Sequence, residues 1–169
     1  MKRSVRISSF VLIVLACVSL DLASKDLAAQ QLSGAEPIIL IGGLFRLQYV
    51  HNPGAFLSLG ADLPAPVRNA LFIVISIGVG VVLTGYCFVS RSVGRLEVLA
   101  SALVVAGGIG NSIDRITIGA VRDFAILQLG SVRTGVFNVA DVAITVGALL
   151  LLLQVIRSSE TDGDGMSSA

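Results

Sequence analysis

Four apolar runs, each long enough to cross a lipid bilayer, leave this chain few ways to fold. A spanning helix needs about 20 predominantly apolar residues, and residues 7–24, 67–90, 96–113 and 136–156 come close to or meet that length. Inside hydrocarbon every backbone N–H and C=O must be paired within the segment, so the runs are read as α-helices. Composition agrees: 54% of residues are apolar and 14% are charged, against about 25% charged in soluble domains, and mean hydropathy is +0.90. The 169 residues hold one integral membrane domain, 1–157, followed by a flexible polar tail, 158–169, with Glu160, Asp162 and Asp164 among Gly and Ser. The fold class is an all-α membrane protein, four transmembrane helices with a small outer (periplasmic) β-sheet.

An even number of spans puts both termini on one side. Lys2, Arg3 and Arg6 crowd the N-terminal segment, Arg91 and Arg95 the short second connection, and Arg157 follows the last span. The positive-inside rule places these in the cytoplasm. A cleaved signal peptide competes for the first span, and Val14-Leu15-Ala16-Cys17 mimics a lipoprotein cleavage box. Three later spans, and an apolar run that continues past Cys17 to Asp21, favour a retained helix. Cys17 and Cys87 lie within apolar spans and read as small buried thiols.

The two outer segments carry strand patterns. Residues 38–41, Gly42-Gly43 and residues 44–50 read as a hairpin whose second arm alternates Phe45, Leu47 and Tyr49 with Arg46 and Gln48. Residues 124–129, closed by Gly130 and Gly135, read as a further strand of the same sheet. Gly107, Gly108 and Gly110 in the third span read as close helix packing, since no phosphate-binding loop follows.

Acids in apolar runs are costly, about 2.5–3.5 kcal/mol each at mid-bilayer on insertion scales, and so mark pairing or function. Asp21 stands four residues before Lys25, a helical spacing that lets the two meet; a structural ion pair is favoured there over direct catalysis. Asn111 and Asp114, followed by Arg115, close the third span on one helical face, and Asn138 and Asp141 repeat the same spacing at the start of the fourth. Asp123 precedes that fourth span. His51 is the only histidine and reads as a surface or packing residue rather than a general base.

These residues fall in five boxes: DLASK at 21–25, HNPGAF at 51–56, GGIGNSIDR at 107–115, VRDF at 121–124 and FNVAD at 137–141. In this order and between these spans, the chain resembles the prolipoprotein signal peptidases, the signal peptidase II family of bacterial aspartic endopeptidases. The resemblance covers all but the tail. It implies that Asp123 and Asp141 form a catalytic dyad, and that Asp21, Lys25, Asn52, Gly54, Asn111, Asp114, Arg115 and Asn138 support the site or bind substrate. The second box departs from the family's usual Asn-x-Gly-Ala-Ala-Phe by one alanine, which leaves the alignment of Ala55 and Phe56 open but not that of Asn52. Pro53 stiffens that loop and biases Asn52 toward an extended backbone.

The resemblance further implies a multi-pass enzyme of the bacterial inner membrane, with cytoplasmic termini and a site facing the periplasm. Its substrate would be a diacylglyceryl-modified prolipoprotein, cut before the lipidated cysteine by a water activated between two aspartates. Membrane lipid is the other expected partner. No nucleic acid, cofactor or metal is expected, and the chain is read as a monomer. In such a dyad the two acids share one proton, and sequence does not say which is the base. Asn111, Arg115 and Asn138 are candidates to stabilise the oxyanion. Two other classes are weighed: a metal-dependent membrane enzyme holding magnesium on Asp114, Asp123 and Asp141, and a small ion-coupled transporter. Sensitivity to chelation separates the first from the dyad. The second would place its acids nearer mid-membrane.

Overall fold

The computed structural model describes residues 1–54, 63–90 and 93–166. Four helices, α1 (Arg3–Leu32), α2 (Ala65–Val89), α3 (Arg95–Ile118) and α4 (Val139–Met166), are each long and apolar enough to span a membrane. Between them lies a four-stranded antiparallel sheet in the order β1 (Ile38–Leu40), β2 (Phe45–Asn52), β3 (Val121–Leu129), β4 (Val132–Arg133). The expected architecture is therefore present, including the hairpin and its union with the second outer segment.

Helix ends are where the sequence reading falls short. Helix α1 runs to Leu32 instead of stopping near Ser24. At 1.5 Å per residue its 30 residues reach about 45 Å, well beyond a hydrocarbon core of about 30 Å. The extension is stabilised by a stripe at helical spacing, Asp21, Lys25, Ala28 and Leu32, all buried. Helix α3 likewise passes through Asn111 and Asp114, because both are buried against protein and need not mark a boundary. It stops at Gly119, which takes the left-handed conformation (φ 75°) of a helix C-terminus. Helix α4 continues to Met166, so the backbone of residues 158–166 is helical where a flexible tail is expected. Extending an existing helix adds a hydrogen bond for each residue fixed, which favours this continuation past the apolar run.

Helix α3 is the central post. Half of its span is buried inside the protein, against 6–17% for the others, which lie mostly at the protein's surface. Small residues let α3 and α4 close up: a Cβ on Gly107 would lie 2.4 Å from the Ala140 carbonyl oxygen, and one on Gly147 2.6 Å from that of Ala100. This is the close packing expected of Gly107. At the other end, Arg6 donates to the carbonyl oxygens of Ser90 (2.6 Å) and Phe88 (3.4 Å), covering the C-terminus of α2 with a cation. Phe10 and Phe88 meet edge to face beside it, next to the buried Cys87. Both cysteines are free.

The sheet aims one face at the helices. In β3, Val121, Asp123 and Ala125 are buried while Arg122 and Phe124 are less so. Pairing Val50 with Asp123 and Asn52 with Val121 puts Asn52 on the same face, diagonal to Asp123. A register shift between Leu47 and Val50 sets this alignment. Phe137 then bonds Ala125 in both directions (2.8 and 2.9 Å), clamping the start of α4 against β3. Neither that bridge nor β4 is visible in the sequence pattern.

Candidate active site

The first turn of α4 is assembled by a reciprocal cap. The Asn138 side-chain oxygen accepts the backbone N–H of Asp141 (2.9 Å), and the Asp141 Oδ2 accepts the backbone N–H of Asn138 (3.1 Å). This is the capping-box arrangement, with Asp at the position where Glu is usual. The Asn138 and Asp141 spacing noted in the sequence thus has a local cause, and it fixes the Asp141 carboxylate at a positive helix end.

Asn138 also reaches Asp123. Its Nδ2 donates to Asp123 Oδ1 at 2.6 Å, so one asparagine holds both acids. Asn52 Nδ2 donates to Asp123 Oδ2 at 2.8 Å, and Asn111 Nδ2 to Asp141 Oδ1 at 2.8 Å. Asp123 and Asn138 are each 1% exposed, whereas Asp141 is half-buried and partly open to solvent. Burial pushes the Asp123 carboxyl up to about 7. The negative charge of Asp141 adds to the rise, and the bonds from Asn52 and Asn138 partly offset it.

Beneath this pair lies a layer of buried charge. Lys25, 0% exposed, meets three acceptors: Asp21 Oδ2 at 2.7 Å, Asn111 Oδ1 at 3.0 Å and Asp114 Oδ2 at 3.1 Å. An ammonium carries three N–H groups, so its donors match this set. Asp21 turns its other oxygen to the Ala140 N–H (2.8 Å) at the N-terminus of α4. A Cβ on Gly110 would sit 2.4 Å from Asp21 Oδ2, so glycine is what allows α3 past this carboxylate. The ion pair expected at Asp21 and Lys25 is present, enlarged by Asp114. Asp114 does not join Asp123 and Asp141, because Lys25 and Arg122 occupy its oxygens. A magnesium site built on all three acids is not what this geometry offers.

Arg115 and Gly54 sit at the rim. Arg115 Nη2 donates to the Gly54 carbonyl oxygen (3.3 Å) and Nη1 to that of Asn111 (3.2 Å), while its guanidinium lies 5.0 Å from the Phe72 ring centroid. Gly54 donates its N–H to Asn52 Oδ1 (3.0 Å), folding the HNPG segment into a side-chain turn. Ala55 and Phe56 fall outside the described residues. His51 is exposed and shares a 3.0 Å hydrogen bond with the Tyr49 hydroxyl. An apolar groove of about 550 Å³ between α2 and α3, lined by Ile73, Ile77, Val105 and Ile109 among others, includes none of the acids.

The ten site residues predicted from sequence therefore form one connected network, drawn from α1, α3, α4, β2, β3 and the loop at Gly54. With that geometry in hand, the family model of signal peptidase II matches residues 13–157. The chain belongs to the signal peptidase II family. Its similarity extends along full-length members: it is 39% identical over 145 residues to the lipoprotein signal peptidase of Sulfurihydrogenibium sp. (strain YO3AOP1), covering 85% of each chain. It is 37% identical over 158 residues to that of Geobacter sulfurreducens, covering 93% of this chain and 96% of the relative. A bacterial membrane enzyme solved at 2.3 Å superposes with a TM-score of 0.82 over 92% of both chains at 23% identity, which speaks for the fold. The protein is thus a multi-pass membrane member of the signal peptidase II family. Within this member, sequence reasoning missed Asp26 and Arg122, whose charges extend the buried layer outward. It also missed the backbone N–H of Ala140. The signal for Arg122 was a cation standing beside Asp123 in a strand that otherwise alternates toward a buried face.

Proposed function

We propose that this protein is an aspartic endopeptidase of the bacterial inner membrane that removes signal peptides from diacylglyceryl-modified prolipoproteins, with Asp123 and Asp141 as its dyad. The observation that carries the reading is the shared asparagine: Asn138 holds Asp123 through its side chain and Asp141 through its backbone. Two acids so coupled do not both ionise cheaply, and the pair keeps one proton near neutral pH. Asp123, buried and raised to about 7, is the member that keeps it; Asp141, partly open to solvent, is the base.

In the reaction Asp141 takes a proton from a water as its oxygen attacks the scissile carbonyl carbon, and Asp123 gives its proton to the carbonyl oxygen. The resulting diol collapses as Asp141 passes its proton to the departing amine of the lipidated cysteine, the C–N bond breaks, and Asp123 recovers a proton from a diol hydroxyl. No covalent enzyme intermediate forms, and neither cofactor nor metal takes part. Arg115 has a buried Nε–H with no partner among the described residues, a donor to spare for the developing oxyanion. The remaining supports, Asp21, Lys25, Asn52, Gly54, Asn111 and Asp114, hold the dyad or the rim, and a single chain suffices for the site. The relatives named above are lipoprotein signal peptidases, which supports the substrate class.

The test is turnover of purified Asp123→Asn and Asp141→Asn on a diacylated prolipoprotein and its non-lipidated precursor. Each variant is expected to lose about 10²–10⁴-fold in kcat while remaining folded, as when a general acid or base is removed. Near-native turnover by either would refute the dyad. Equal cutting of the non-lipidated precursor would refute the substrate.

A further inference from the structure

Outside the ten residues already assigned, one side chain is tied to the site more heavily than its place on an outer strand requires. Arg122 immediately precedes Asp123 in β3. Its backbone N–H donates to Asp114 Oδ2 at 3.0 Å, its Nε to Asp114 Oδ1 at 2.9 Å, and its Nη2 lies 2.8 Å from the same oxygen. Its Nη1 pairs with Asp26 Oδ1. Its carbonyl oxygen faces Asn138 Nδ2 at 3.4 Å. Every polar group of this residue is thus directed at α1, α3 or the start of α4, while its side chain stays 17% exposed.

We infer that Arg122 is a positioning residue for the dyad, acting on Asp123 through the strand and on Asp141 through Asp114, Lys25 and Asn111. The inference rests on the dyad reading. The first route is direct: fixing the N–H and C=O of residue 122 fixes where the next carboxylate emerges. The second follows from charge. Asp114 is 0% exposed and is shared by two cations, Arg122 and Lys25. Without the Arg122 guanidinium, Asp114 keeps only the N–H of residue 122 and Lys25, and with Lys25 its one remaining cation among the described residues it draws the ammonium toward itself. That movement takes Nζ away from Asn111 Oδ1, and Asn111 is the residue whose amide holds Asp141. The fork of the guanidinium matters as well as its charge, because two of its nitrogens and the backbone N–H bracket one carboxylate. The Asp26 end contributes less: that carboxylate is 61% exposed, and open pairs are screened by water.

The experiment uses the full chain in detergent micelles, with Arg122→Gln, Arg122→Lys and Asp26→Asn compared for kcat, KM and folded fraction, and Asp123→Asn as the inactive reference. Arg122→Gln is expected to lower kcat per folded molecule by roughly ten- to a hundredfold, the scale of a small misplacement of reacting groups, with KM within about twofold. Arg122→Lys should recover part of that loss, and Asp26→Asn should cost less than Arg122→Gln. If Arg122→Gln keeps native kcat per folded molecule, or raises KM alone, the inference is overturned. If Arg122→Gln does not fold, Arg122→Lys decides, native kcat overturning the assignment and reduced kcat supporting it. Activity retained by Asp123→Asn would instead indict the dyad, so the two failures are separable.

Discussion

Lys25 is fully buried, and among the described residues Asp21, Asn111 and Asp114 face its ammonium. Removing one partner of a buried ionic set leaves the others uncompensated, so Lys25→Met is expected to cost about 3–5 kcal/mol, read as a lowered Tm in detergent. Asp123 gives a pH dependence of known sign. Its carboxyl is raised from 3.8 to about 7, so the folded protein binds this proton more tightly than the unfolded chain does. The associated stability is complete below the unfolded value near 4 and is lost as pH rises through about 7. The proposed acid is lost with it, so kcat should fall over the same interval, a decline that a pH series at saturating substrate would reveal. At this scale the sequence was legible wherever a polar residue interrupted an apolar run, because insertion cost makes such residues informative. Asp26 and Arg122 lie in segments where charge is cheap; Asp26 had nothing to set it apart from solvated surface, and Arg122 had only its place beside Asp123.

Helices are easier to foresee than helix ends. Apolar length announced the four spans, but Asp21, Lys25, Asn111 and Asp114 looked like boundaries when they were buried interior. Whether a polar group ends a span depends on the partners that tertiary structure supplies, and those come from other elements. Close packing of α3 on α4 yields a prediction that compares two glycines. Gly107→Ala and Gly147→Ala both drive a Cβ into opposing backbone, at 2.4 Å from Ala140 O and 2.6 Å from Ala100 O, and each should destabilise by about 1–3 kcal/mol. Only Gly107 opposes the turn that carries Asp141. Per folded molecule, Gly107→Ala should therefore lose far more turnover than Gly147→Ala, and equal losses would show that the α4 start tolerates displacement. The second arm of the hairpin was readable from alternation and residues 124–129 as a strand-like run closed by glycines, although β3 starts earlier, at Val121, whereas β4, two residues long, and the Phe137 bridge were too short to leave a pattern.

For the molecule as a whole, an even number of spans sets both chain ends opposite the sheet. If the basic end is cytoplasmic, Ser33→Cys, just past α1, should react with a membrane-impermeant maleimide added outside, and Ser4→Cys should not, in a background lacking Cys17 and Cys87. The reverse pattern would invert the topology. Fold class was legible before the structure because insertion in lipid penalises every unpaired polar group, so few arrangements survive; the site residues came from the resemblance carried by the five boxes, and their roles rest on the function proposed above. One tie described above reaches beyond the finished molecule. The Asp21 carboxylate binds the Ala140 N–H, a partner 119 positions later in the chain. A polypeptide still emerging from the ribosome with three helices threaded holds the buried cations and Asp123, yet neither Asn138 nor Asp141. On the proposed chemistry such an intermediate is hydrolytically silent, so each new copy stays harmless to its neighbours at the insertion machinery until the start of α4 has been made.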